Sequence, residues 1–150
     1  MTANIQQEEA LKNVLVAKWE QASRKIAELA EVIPDHEYDS RPLAGIRSCG
    51  EVFRHVAFWN EYAADTLNGK QADDSGNELP HTAYSTKPSI LEVLKQSSAA
   101  VATAFREQQA PADSKAMELI MSFVEHTAEH YGQLVVYTRF MGMVPPVSRT

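Results

Sequence analysis

The sequence has one cysteine and no long apolar stretch, and each shortage excludes a class of protein. Cys49 alone cannot form an internal disulfide, which predicts a reducing compartment. The opening segment MTANIQQEEALKN lacks the basic start and apolar run of a signal peptide. Because no segment is apolar for long enough to cross a bilayer, a cytoplasmic protein with no membrane partner is expected.

Basic residues are also in short supply. The chain has 14 Lys and Arg against 20 Asp and Glu, which gives a formal net charge of −6 at pH 7. An acidic protein of this size has no general attraction for phosphate backbones, so nucleic acid is excluded as a partner. With 150 residues, of which 44% are hydrophobic, the composition predicts a single globular domain over residues 1–150.

Four segments show the periodicity of amphipathic helices, and none shows the sustained alternation of a strand. Asn4 is expected to cap the first helix, and Ser48 with Glu51 forms a capping-box pattern before the second. The helices are predicted to begin near Asn4, Ser48, Thr86 and Asp113, and to end before Pro34, Gly69, Pro111 and Gly142.

Helices of this kind bury their apolar stripes by packing against one another, so the sequence predicts an all-α, four-helix bundle. The long polar linker over residues 69–85 is sufficient to cross the bundle and let the second and third helices run parallel. The short connection over residues 109–113 favours an antiparallel arrangement of the third and fourth helices.

Three histidines fall within these apolar stripes. His126 and His130 share one face of the fourth helix, and His55 lies on the inward stripe of the second. A buried imidazole needs a hydrogen-bond partner, and a divalent cation would satisfy all three together while favouring their neutral form. The alternative is that each is an ordinary core histidine with its own partner.

The segment His126-Thr-Ala-Glu129-His130 also matches the H-x-x-E-H pattern of inverzincin metallopeptidases. Those enzymes take a third, acidic ligand from well downstream. No Asp or Glu follows His130 in this chain. The pattern therefore gives little support to a peptidase.

Three pieces of the sequence resemble the DinB/YfiT-like superfamily of metal-dependent proteins. They are RSCGEVFRHVA around His55, HTAEHYGQL from His126, and GMVPPVS from Gly142. The resemblance covers nearly the whole chain and implies a DinB-like bundle with up-down-down-up topology. It also implies one divalent metal held by His55, His126 and His130.

Zinc, nickel, iron and manganese all accept neutral nitrogen ligands. A three-histidine centre keeps its open positions and its full charge, so it could activate either water or a thiol. The resemblance favours a thiol-dependent S-transferase that joins a low-molecular-weight thiol to a small electrophilic substrate. A metal-dependent hydrolase and a non-catalytic module stabilised by its metal are the alternatives.

Other residues are candidates for a role near the metal. Glu129 is placed to orient a ligand or act as a general base, or else it is a solvated charge beside the stripe. Trp59 and Tyr137 lie on inward stripes and would line a substrate pocket, although ordinary core packing also explains them. The resemblance further suggests a homodimer, for which no exposed stripe in this sequence marks an interface.

Overall fold

The computed structural model describes residues 2–108 and 114–149. It contains the helices α1 (Thr2–Val32), α2 (Cys49–Leu67), α3 (Lys87–Arg106) and α4 (Ser114–Phe140), with 3-10 turns at Asp35–Glu37 and Pro146–Ser148. The described part of the chain has no β-strand, so the all-α prediction is confirmed. None of its helices is long and apolar enough to cross a membrane. The connection predicted over residues 109–113 lies outside the described residues.

Local capping signals fix where α2 and α3 begin. The Ser48 hydroxyl accepts a hydrogen bond from the backbone N–H of Glu51, and the Glu51 carboxylate accepts one from the N–H of Ser48. The predicted capping box is therefore present, and Thr86 forms another at α3. The helix α1 begins at Thr2. The cap predicted at Asn4 concerns a side chain outside the described part of the structure, so it stays a prediction.

The helices pack in the cyclic order α1, α3, α2, α4, with α1–α2 and α3–α4 on the diagonals. The indole of Trp19 donates to the carbonyl of Ser98, while Lys87 donates to the carbonyl of Glu31. The end of α1 thus meets the start of α3, so these helices are antiparallel.

The second helix runs in the same direction as the third. The Asn60 amide donates to the Ser97 hydroxyl, and at the C-terminal ends of both helices Gln108 donates to the carbonyl of Leu67. The second and fourth helices are antiparallel where they meet at the histidine cluster. In chain order, α1, α2, α3 and α4 therefore run up, down, down and up. The predicted topology is confirmed, and the third and fourth helices are antiparallel across a diagonal.

Two apolar clusters fill the bundle, one toward each end. The first surrounds Phe53 and Leu134, and the second surrounds Trp19 and Phe105, all fully buried. Along α4, His126 and His130 fall between the two clusters, whereas on α2 His55 lies among residues of the first cluster, between Phe53 and Val56. The polar layer is therefore enclosed on both sides by packed apolar side chains, which hold the two helices at a fixed spacing.

The long linker between α2 and α3 has a defined course over α2. Arg54, only 3% exposed, donates to the carboxylate of Glu78 at 2.7 Å and to the carbonyl of Tyr84 at 3.3 Å. Leu79 is buried beside this ion pair, and its N–H donates to the carbonyl of Arg54. These contacts place the neighbouring residue, Asn77, against the histidine layer.

Candidate metal centre

Two antiparallel helices bring the three predicted ligands together. His55 projects from α2, and His126 and His130 project from successive turns of α4. One ring nitrogen from each lies within 4.8 Å of the others, and Nε2 of His126 is 3.0 Å from Nε2 of His55. The ring centroids of His126 and His130 are 4.5 Å apart. The imidazoles therefore share one small space, as the spacing along the sequence predicts.

The orientation of His55 is set by the linker. Its Nδ1 lies 2.6 Å from the backbone carbonyl of Asn77, to which it donates. The Asn77 side chain in turn accepts a hydrogen bond from the indole of Trp59 at 2.9 Å. Because Nδ1 carries the proton, Nε2 keeps its lone pair and points into the cluster.

The orientation of His130 is set by a chain of hydrogen bonds along α4. Its Nδ1 donates to the Gln133 side-chain oxygen at 2.8 Å, and the Gln133 amide donates to the Tyr137 hydroxyl at 2.8 Å. Tyr137 then donates to the backbone carbonyl of Arg47 at 3.0 Å. This histidine relay, comprising His130, Gln133, Tyr137 and Arg47, leaves Nε2 of His130 free to coordinate.

His126 has no such support. Its Nδ1 is buried and has no hydrogen-bond partner among the described residues. Burial lowers the pKa of His126 to about 4, with further contributions from His130, His55 and Arg47. Burial likewise lowers the pKa of His55 to about 4. Both imidazoles are neutral at pH 7, which is the form that binds a metal.

The donor set fits a divalent transition metal. Three neutral nitrogens converge from two helices, and two of them have the outer hydrogen bond that metal-binding histidines ordinarily make. Without a common ion, the closest pair of ring nitrogens can share only one hydrogen bond between them. A metal of the zinc, nickel, iron or manganese type satisfies all three.

The sequence model of the DinB superfamily matches residues 18–136, which is well over half of the chain. The chain belongs to the DinB superfamily. The matched range begins within α1 and includes all three histidines of the cluster. No curated protein matches this DinB chain at a significant level. The family agrees with the fold, and the chemistry has to be argued from the site.

The other predicted site residues differ in how they are placed relative to the histidine cluster. Glu129 is exposed and forms no hydrogen bond or ion pair with another residue of the described chain, so its catalytic role stays a prediction. Trp59 is half-buried and its ring meets that of His55 edge-on at 6.4 Å. Tyr137 is buried, and its hydroxyl is occupied in the histidine relay. Lining of a substrate pocket by either aromatic stays a prediction.

Sequence reasoning missed the supporting residues. Gln133 belongs to the HTAEHYGQL segment that carries the family resemblance, but no role was predicted for it, although its place seven residues after His126 puts it on the same face of α4. Asn77 gave no signal, since it acts through its backbone carbonyl from a polar linker. The role of Arg47 likewise depends on a carbonyl that the bundle brings to Tyr137.

Proposed function

We propose that this DinB protein binds one divalent transition metal through His55, His126 and His130 and uses it in catalysis. The observation that carries the proposal is the convergence of three imidazole nitrogens, all within 4.8 Å of one another. Outer hydrogen bonds to Nδ1 of His55 and His130 support it, because they orient both rings for coordination through Nε2.

The number of ligands supports an open centre. Structural zinc sites are ordinarily closed by four protein ligands, whereas catalytic sites retain a position for water or substrate. Among the described residues, no fourth His, Cys, Asp or Glu belongs to the cluster. When bound, the ion would lower the pKa of a thiol or water beside it and so supply a nucleophile at neutral pH.

For the reaction, we propose transfer of a low-molecular-weight thiol onto a small electrophile. The thiol loses its proton, the sulfur forms a bond to the electrophilic carbon, and the bond to the leaving group breaks with its electron pair. Glu129 would accept the proton, and the rings of Trp59 and Tyr137 would border the substrate. A cytoplasmic location suits this chemistry because thiols stay reduced there, and a homodimer is part of the same proposal.

The test combines metal analysis with a thiol screen. The purified protein is expected to contain about one transition-metal ion per chain, and chelation should abolish its ability to consume thiol in the presence of 1-chloro-2,4-dinitrobenzene. Replacing His130 by Ala should weaken metal binding at least a hundredfold or so. The matched control is His81→Ala, because His81 is exposed and lies outside the cluster.

The alternatives give different results in the same experiment. Metal-dependent hydrolysis of ester substrates without any thiol would show that the protein is a hydrolase and would contradict the proposed transferase. Loss of thermal stability on metal removal, without turnover of either kind, would indicate a metal-stabilised binding module. A protein that binds no transition metal in the wild-type form would overturn the proposal altogether.

A further inference from the structure

Arg47 is held beside the histidine cluster by its backbone. It directly precedes Ser48, the cap of α2, and its carbonyl is the last acceptor of the histidine relay. The carbonyl of Arg47 is therefore connected to His130 through two side chains. The Arg47 side chain itself is half-buried.

The Arg47 guanidinium has no counter-ion in the described chain. The nearby carboxylates are engaged elsewhere: Glu51 accepts hydrogen bonds from Arg41 and from the start of α2, and Glu78 pairs with buried Arg54. No hydrogen bond or ion pair joins the side chain of Arg47 to another described residue. The partly exposed guanidinium is therefore available to bind an anionic ligand.

The charge of Arg47 also acts on the cluster. Besides burial and His130, its positive charge lowers the pKa of both His55 and His126, so it lies within electrostatic range of the two rings. Neutral imidazoles would leave a bound divalent ion with its full charge. The site would then present two cationic groups, with no carboxylate among the described residues of the histidine cluster.

We propose that Arg47 binds a carboxylate of the small molecule that reacts at the histidine centre. This inference rests on the proposed function, since it assumes a metal in the cluster. The planar guanidinium presents paired N–H donors that match both oxygens of a carboxylate. The substrate class is therefore an anionic thiol, or an anionic electrophile, whose carboxylate reaches Arg47 while its reacting atom lies at the metal.

The experiment compares ligands that differ only in charge. Protein loaded with Zn²⁺ is titrated by calorimetry with 3-mercaptopropionate and with the neutral 3-mercaptopropionamide. Wild-type protein should bind the anionic thiol about tenfold more tightly than the neutral one, or more. Arg47→Gln should remove this preference without weakening binding of the neutral thiol. Arg47→Lys should retain part of the preference, because lysine keeps the positive charge but lacks the paired N–H donors of the guanidinium.

Arg106→Gln is the matched control, since it removes an exposed arginine at the opposite end of the bundle. It should leave the preference unchanged. Because the carbonyl of Arg47 remains in every variant, the relay and the melting temperature should be retained. Equal affinities for the two thiols in wild-type protein, together with acetate binding that does not depend on Arg47, would overturn the inference, and so would a preference that survives in Arg47→Gln.

A third ligand, acetate, separates this inference from the proposed function. Acetate binding that depends on Arg47, without binding of either thiol, would support the anion site and count against thiol transfer. Binding of both thiols with equal affinity, with acetate binding that is the same in wild-type protein and Arg47→Gln, would instead leave thiol transfer standing and remove the role of Arg47. If acetate alone depends on Arg47 while both thiols bind equally, the carboxylate belongs to the electrophile.

Discussion

At the scale of single residues, the centre depends on which nitrogen of each imidazole faces inward. Asn77 and Gln133 accept hydrogen bonds from Nδ1 of His55 and His130, which directs both Nε2 atoms toward a common point. A ring free to rotate would have to be ordered when the metal binds. Pre-ordering by these partners therefore contributes to metal affinity without any contact with the metal.

Gln133→Ala tests this pre-ordering. Removing the acceptor frees the His130 ring and should weaken Zn²⁺ binding about 10- to 100-fold, as measured by competition with a chromophoric chelator. Gln133→Glu retains an acceptor oxygen and should lose less affinity. Gln96→Ala is the control, because the Gln96 side chain is exposed and donates to Glu92 on the outer face of α3. Equal Zn²⁺ affinity in wild-type protein and Gln133→Ala would contradict the role of the relay.

At the scale of elements, the linker between α2 and α3 is a structural part of the centre. It carries Asn77, which fixes His55, and it is attached to α2 by the ion pair between Arg54 and Glu78. Arg54 is buried, so its charge depends on the linker for neutralisation. The position of the His55 side chain and the course of the linker are consequently coupled.

Glu78→Gln should therefore affect both stability and metal binding. The buried Arg54 would lose its counter-ion, which should lower the free energy of unfolding by about 2 kcal/mol, less than for a fully enclosed pair because Glu78 is partly exposed. Release of the linker should also weaken Zn²⁺ binding through Asn77. Urea unfolding and chelator competition measure the two effects.

The control for this variant is Glu92→Gln, which alters an exposed carboxylate of α3. It should change neither quantity appreciably. If Glu78→Gln destabilised the protein but left Zn²⁺ affinity intact, the linker would stabilise the fold without positioning His55.

At the scale of the whole molecule, burial of the histidine layer between two apolar clusters makes stability depend on pH. The folded protein holds His55 and His126 with pKa values of about 4, below the ordinary value of 6.5. Between these values the unfolded chain binds more protons than the folded one. Stability contributed by these residues is therefore present above about pH 6.5 and lost as the pH falls toward 4.

Metal-free protein should accordingly show a falling free energy of unfolding as the pH is lowered from 7 to 5. Urea unfolding at several pH values measures this slope. His126→Asn removes one of the two groups, so its slope over the same range should be shallower than that of the wild type. A slope identical in the two proteins would show that His126 does not bind its proton preferentially in the unfolded state.

The sequence alone determined the helices and the three histidines on their inward faces. Apolar periodicity is a local property, so it predicted four helices, and the pattern of Ser48 with Glu51 predicted the cap of α2 that the structure contains. The spacing of His126 and His130 placed both on one face for the same reason.

Only the tertiary structure decided what surrounds those ligands. The approach of Asn77 to His55, and of the Arg47 carbonyl to Tyr137, joins residues far apart in the chain. Neither contact involves a side-chain pattern that a helix repeats, and two of the acceptors are backbone carbonyls that every residue possesses. The packing of the helices and the linker sets which carbonyl meets which side chain. Apolar periodicity specifies which face of a helix points inward, but it does not specify which atoms of the other elements that face will contact.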